Sequence, residues 1–135
     1  MSRLRARQLL KKSLIRPPKQ YTKNKMLIPI EKEEDIFPEY RNTPIGKLLE
    51  YHNLGSPFDN YTKAELLIGM CMDNRKSLRI PENYAYIIRS GGGNLRYSEF
   101  KVSYAIAIGQ LSHIALIGHN NCGMVNLLDR KDAFI

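Results

Sequence analysis

In this chain of 135 residues, the side chains best suited to chemistry are two cysteines, one of its three histidines, and an acid–base pair beside the first cysteine. Cys71 closes the apolar run Leu66–Cys71. Cys122 follows a second apolar run in His119-Asn120-Asn121-Cys122. In open parallel sheets ligands gather at the carboxyl ends of strands. Two thiolates and one imidazole placed there make a Cys₂His set, an arrangement that holds a catalytic zinc with the fourth position open. Soft thiolate and borderline imidazole favour zinc over magnesium or calcium. The three ligands come from two distant segments, so the site is expected to form only on folding. Spacing alone leaves two plainer readings open: buried cysteines acting as small hydrophobes, or a disulfide in an oxidising compartment.

Asp73 and Arg75 follow Cys71 in Cys71-Met72-Asp73-Asn74-Arg75. An acid two residues past a metal thiolate can reach the open coordination position. A bidentate pair with Arg75 would fix its direction and keep it ionised. An ionised carboxylate accepts a hydrogen bond and donates none, so it would select a hydroxide and orient a lone pair toward substrate. The plain alternative is a surface ion pair worth ~0–1 kcal/mol. Ser90-Gly91-Gly92-Gly93-Asn94 lacks the Lys-Ser/Thr ending of a P-loop and the spacing of a dinucleotide fingerprint. It reads instead as a tight connection that lets backbone pass close to the metal. Arg89, just before it, reads as structural. His52 and His113 are conceivable proton carriers with no assigned role.

These residues must be positioned by the elements around them. Thr43-Pro44 opens a helix, with Thr as cap and Pro in the first turn. Ile45, Leu48, Leu49 and His52 recur at helical spacing, and Gly55 can end the segment. Three short apolar runs, Leu66–Cys71, Tyr84–Ile88 and Ile114–Ile117, lack polar alternation and predict parallel strands buried on both faces. Between the last two, residues 97–110 carry Phe100, Tyr104, Ala107, Ile108 and Leu111 as a helical stripe. Strand, helix, strand predicts a βαβ unit with a right-handed crossover. Met26–Ile30 is a short apolar run, Glu31–Asp35 is acidic and expected at the surface, and Ser56–Tyr61 reads as loop.

Three segments together resemble the β-class carbonic anhydrases in order and spacing: Cys71-Met72-Asp73-Asn74-Arg75, Arg89-Ser90-Gly91-Gly92-Gly93-Asn94 and Gly118-His119-Asn120-Asn121-Cys122-Gly123. The resemblance runs from about Thr43 to the end. It implies an open, mainly parallel α/β sheet flanked by helices, and an enzyme that interconverts carbon dioxide and bicarbonate by attack of a zinc-bound hydroxide. It also implies Cys71, His119 and Cys122 as zinc ligands and Asp73 and Arg75 as the catalytic dyad, with Asp73 able to become a fourth ligand in a closed state. A homodimer or higher oligomer is implied as well. Family members usually have Ser where Asn74 stands, and often Asn-Ala-Gly-Asn where Ser90–Asn94 stand. They also continue well past the second cysteine. The chain is therefore expected to be a C-terminally truncated member whose sheet is incomplete. An inactive zinc-binding remnant and a carbon disulfide or carbonyl sulfide hydrolase are the alternatives within this resemblance.

The formal charge of +8 is unevenly placed. Residues 1–25 hold nine of the 21 basic residues and no acid; from Met26 onward twelve basic residues face 13 acidic ones, a net of −1. The sequence thus divides into a basic, flexible leader (1–25) and a zinc domain (26–135). The leader has no apolar h-region, so a secretory signal is not expected and the chain is placed in the cytoplasm. Its Arg-rich, acid-free composition fits an organelle transit peptide, although it has only two serines; a nucleic-acid arm and a solvated extension are the other readings. The near-neutral domain gives nucleic acid little support. No apolar run approaches the ~18 residues of a membrane span.

Overall fold

The computed structural model describes residues 27–124. The leader 1–25, Met26 and the segment 125–135 lie outside them.

The organising strand is β1 (Leu66–Cys71), whose six residues are all buried. It lies in the middle of a three-stranded sheet, between β2 (Ala85–Ser90) and β3 (Ile114–Ile117), and both pairings are parallel. The register sets Cys71 opposite Ser90 and Met70 opposite Ile117. All three strands therefore end together. The segments that follow them, Met72–Arg75, Gly91–Asn94 and Gly118–Cys122, emerge at one edge of the sheet.

Alternation along β1 divides its side chains between two cores. Leu66, Ile68 and Met70 face helix α1 (Pro44–Asn53) and pack with Leu48, Tyr51 and Tyr84. Leu67 faces helix α2 (Glu99–Ala107) and packs with Ile88, Ala105 and Leu111. Burying such a side chain contributes about 1.5–3 kcal/mol. α1 starts as the sequence predicts: the Thr43 hydroxyl accepts the Gly46 N–H at 3.2 Å, and Pro44 occupies the first turn. Its end also follows prediction, with Gly55 at φ +68° just past Leu54. Beneath α1 the Tyr51 hydroxyl donates to Asp59 Oδ2 at 2.8 Å and meets the Tyr61 hydroxyl at 2.6 Å. Burial and these hydroxyl contacts push the Tyr51 phenol well above its ordinary value.

Two expectations about burial are overturned. Only β1 is buried on both faces. β2 and β3 are the sheet's edges, and Ile87, Ile114 and Leu116 (70% exposed) lie open among the described residues. Most of the predicted stripe on α2 does not form its inner face either; of its members only Leu111, past the helix end, is buried in that core. Phe100 (82% exposed), Tyr104 and Ile108 point outward, while Ser98, Val102, Ala105 and Gly109 face the sheet. The physical reason is the close approach of this helix to the sheet. In the turn just past the helix a Cβ on Gly109 would lie 2.8 Å from the Tyr86 ring and collide with the Ala105 carbonyl, so a side chain there is excluded where the helix end meets β2. The helix has two apolar faces, and the smaller one packs inward.

Candidate metal centre

Cys71 is the last residue of β1, and it is 1% exposed. The chain leaves β3 through Gly118 and turns back at Asn121, whose φ of +52° lies in the left-handed region that Asn tolerates. That turn returns Cys122 toward β1, where its Sγ lies 3.6 Å from Cys71 Sγ. One ligand atom from each of Cys71, His119 and Cys122 falls within 4.8 Å of the others, close enough to bind one metal ion.

The orientation of His119 supports such a role. Its Nδ1 lies 2.9 Å from the Asn120 carbonyl. A carbonyl only accepts, so Nδ1 carries the hydrogen in the neutral ring and Nε2 carries the lone pair. Nε2 is buried and is the one buried side-chain polar atom among the described residues without a hydrogen-bond partner. A buried lone pair left unpaired is costly. Beside two thiols it is what a bound cation would satisfy, so the residues present fit a metal.

In the metal-free chain, with a proton instead on the ring nitrogen that faces the sulphur, the His119 imidazole is the largest influence on Cys71, followed by the backbone N–H of Asp73. Burial opposes them, and the Gly92 N–H and Cys122 assist, so the thiol is held down to about 6 from 9.0. The Gly92 N–H donates to Cys71 Sγ at 3.3 Å. Gly92 and Gly93 have φ of +65° and +72°, a conformation that explains the glycines here. That amide faces sulphur and is not free for a phosphate.

Asp73 and Arg75 pair as the sequence suggests. Arg75 Nε donates to Asp73 Oδ1 at 3.0 Å and Nη2 donates to Oδ2 at 2.5 Å; the Arg75 backbone N–H adds a bond to Oδ1 at 2.9 Å. These contacts, the Arg75 side chain first, hold the Asp73 carboxyl well below the usual carboxylate range, against a smaller opposing effect of burial. Asp73 is thus a fixed acceptor. Its pairing raises Arg75 in turn.

Two links are not visible in the sequence. Arg75 Nη2 also donates to the Asn121 carbonyl at 3.0 Å, tying the loop after Cys71 to the loop that carries His119 and Cys122. Arg89 pins the same first loop from below: Nε donates to the Cys71 carbonyl at 3.0 Å, and Nη2 to the carbonyls of Asp73 and Lys76, both at 2.7 Å. An Arg directly before a Gly-rich turn, one residue from the strand position opposite Cys71, was the available signal.

A cavity of about 110 Å³ adjoins the site, with Cys71 and His119 in its wall and Met70, Leu78 and Ile117 as apolar lining. His52, Lys76 and Ser77 border it. His52 Nδ1 accepts the Arg79 N–H at 3.1 Å, so that nitrogen already has a partner. His113 precedes β3 at its amino end, away from Cys71, His119 and Cys122, and its Nδ1 lies 2.9 Å from the Ser112 hydroxyl. Among the described residues no helix is long and apolar enough to cross a membrane.

Compared with family models, with curated proteins and with solved structures, the chain has no match in any of the three.

Proposed function

We propose that the chain is a zinc protein of the β-carbonic anhydrase kind and that its reaction is the reversible hydration of carbon dioxide to bicarbonate and a proton. The observation that carries this reading is the convergence of Cys71, His119 and Cys122 within 4.8 Å beside a carboxylate, Asp73, fixed by Arg75. Cys71 Sγ, Cys122 Sγ and His119 Nε2 would hold the zinc. A zinc ion with an open position supplies hydroxide at neutral pH, by lowering the pKa of water from 15.7 toward ~7.

The chain's own groups then have separable tasks. Asp73, ionised and without a proton to donate, accepts a hydrogen bond from the nucleophile and fixes the direction of its lone pair. Arg75 holds that carboxylate through two parallel donors, which leaves it little freedom to rotate. The Gly92 amide and the Nδ1–H of His119 fix two of the ligands before substrate arrives. Met70, Leu78 and Ile117 give the adjoining cavity an apolar lining suited to an uncharged molecule of few atoms. The same reading proposes a homodimer, supported by the outward apolar face of Phe100, Tyr104 and Ile108, and a cytoplasmic location.

The test uses the full chain, with zinc counted per chain by atomic absorption and carbon dioxide hydration followed by stopped flow. Wild type should bind one zinc and hydrate carbon dioxide, Cys71→Ser should do neither, and Asp73→Asn should keep zinc and lose most of the rate. Equal rates for wild type and Cys71→Ser would refute the proposal. Carbonyl sulfide supplied as substrate tests the alternative chemistry on the same protein.

A further inference from the structure

The two sulphurs of the site face each other as well as a metal. Cys71 Sγ and Cys122 Sγ are 3.6 Å apart, so a shift of about 1.5 Å reaches the ~2.05 Å of a disulfide. Both are free cysteines and both are buried. Cys122 sits in a loop rather than in a strand, between Asn121 in a left-handed turn and Gly123, so the shift needs no break in the sheet. The cavity beside the site reaches Cys71 and is bordered by the exposed His52 and Ser77. At about 110 Å³ it admits a molecule of two oxygen atoms and excludes a tripeptide disulfide such as oxidised glutathione.

We propose that Cys71 and Cys122 form a reversible intramolecular disulfide when the metal is absent and a small peroxide is present, so that the oxidation state of this pair sets whether the chain can hold metal. The proposal concerns regulation of the same site, and its consequence for zinc rests on the metal reading above. Cys71 sulphur attacks one peroxide oxygen; the O–O bond breaks, a sulfenic acid forms on Cys71, and the other oxygen leaves as water. Cys122 sulphur then attacks the Cys71 sulphur; the S–O bond breaks and a second water leaves. Two thiols lose two electrons and two protons, and one hydrogen peroxide is reduced to two waters. The disulfide consumes both thiolate ligands and leaves His119 and an Asp73 carboxylate already held by Arg75, too few donors to hold the ion. A dithiol such as reduced thioredoxin or dithiothreitol reverses the step by thiol–disulfide exchange.

The experiment treats the full chain, stripped of metal by chelation, with one equivalent of hydrogen peroxide, and separately with oxidised glutathione. The readouts are intact mass and thiols titrated in denaturant. Peroxide should remove the mass of two hydrogens and both thiols from a chain that stays monomeric on a non-reducing gel, and dithiothreitol should restore them. Oxidised glutathione should act far more slowly. In Cys122→Ser the reaction should stop at a Cys71 sulfenic acid that dimedone traps. Persistence of both thiols, a disulfide between chains, or direct passage to sulfinic acid would overturn the proposal. In the same series, zinc added to the reduced chain should block oxidation, and the oxidised chain should take up no zinc. A reduced chain that binds no zinc refutes the metal reading and leaves the thiol result to stand or fall by its own mass.

Discussion

Replacing Arg89 by methionine keeps most of the side chain's length and removes its three donors to the loop that carries Cys71, Asp73 and Arg75. The bond to the Cys71 carbonyl is part-buried; those to the carbonyls of Asp73 and Lys76 are exposed. A hydrogen bond to a charged group contributes ~1.5–3 kcal/mol, and an exposed one less because water replaces it. Taking ~1.5 for the first and ~0.7 for each of the others gives about 3 kcal/mol for the set. If all of it served to hold the loop in its ligating shape, metal affinity would fall about a hundredfold. Water that reaches the freed carbonyls of Asp73 and Lys76 recovers part of this, so the expected loss is about tenfold to a hundredfold. Zinc competition against a chromophoric chelator measures it, with far-UV circular dichroism as the check on folding. Arg89→Lys should fall between, because one ammonium cannot reproduce a planar fork reaching three carbonyls. A folded Arg89→Met protein that binds zinc within about twofold of wild type would show that the loop keeps its shape without these bonds, against the ~3 kcal/mol assigned to them.

Two further predictions follow from the packing and the charges. Gly109→Ala forces its Cβ against Tyr86 and the Ala105 carbonyl, so the thermal midpoint should drop by the equivalent of about 1–3 kcal/mol; an unchanged midpoint would show that the turn after α2 does not sit this close to β2. The Cys71 thiol, at about 6 in the fold against 9.0 otherwise, contributes stability to the metal-free chain that is complete above about pH 9 and is lost as pH falls through 6. The depressed Asp73 carboxyl acts lower, contributing above its ordinary 3.8 and losing that contribution only in stronger acid. Urea midpoints of the metal-free chain should therefore rise from pH 6 to 9 in wild type and rise less in Cys71→Ser; parallel profiles would remove the interaction assigned to Cys71.

Where the sequence could be read, the reason was local. Thr43-Pro44 and Gly55 mark the ends of α1 because capping and left-handed backbone need particular residue types. The three apolar runs show as strands because they are too short for helices and carry no polar alternation. What the runs could not show was rank within the sheet. β1, β2 and β3 look equally apolar, yet only the central strand is covered on both sides. The inward face of α2 was hidden for a related reason: large residues make the conspicuous stripe, and the close contact uses Ala105 and Gly109. The three residues proposed as ligands could be picked out by chemical type and by their place after strands. The links that position them, Arg89 to three carbonyls and Arg75 to Asn121, end on backbone atoms, which every residue has and no motif records.

Cys71 and Cys122 are 51 positions apart, and the chain between them includes β2, α2 and β3. A disulfide between these two residues therefore ties that whole stretch into a ring and restricts the unfolded chain far more than the folded one, whereas an ion would leave on unfolding and stabilise only by binding the fold. For a ring of this size the entropic benefit to the fold is ~4 kcal/mol. A change from metal to disulfide would replace a link that dissociates with one that persists in the unfolded chain. Oxidation would then remove both thiolates while holding β2, α2 and β3 in a covalent ring that leaves α1 outside it.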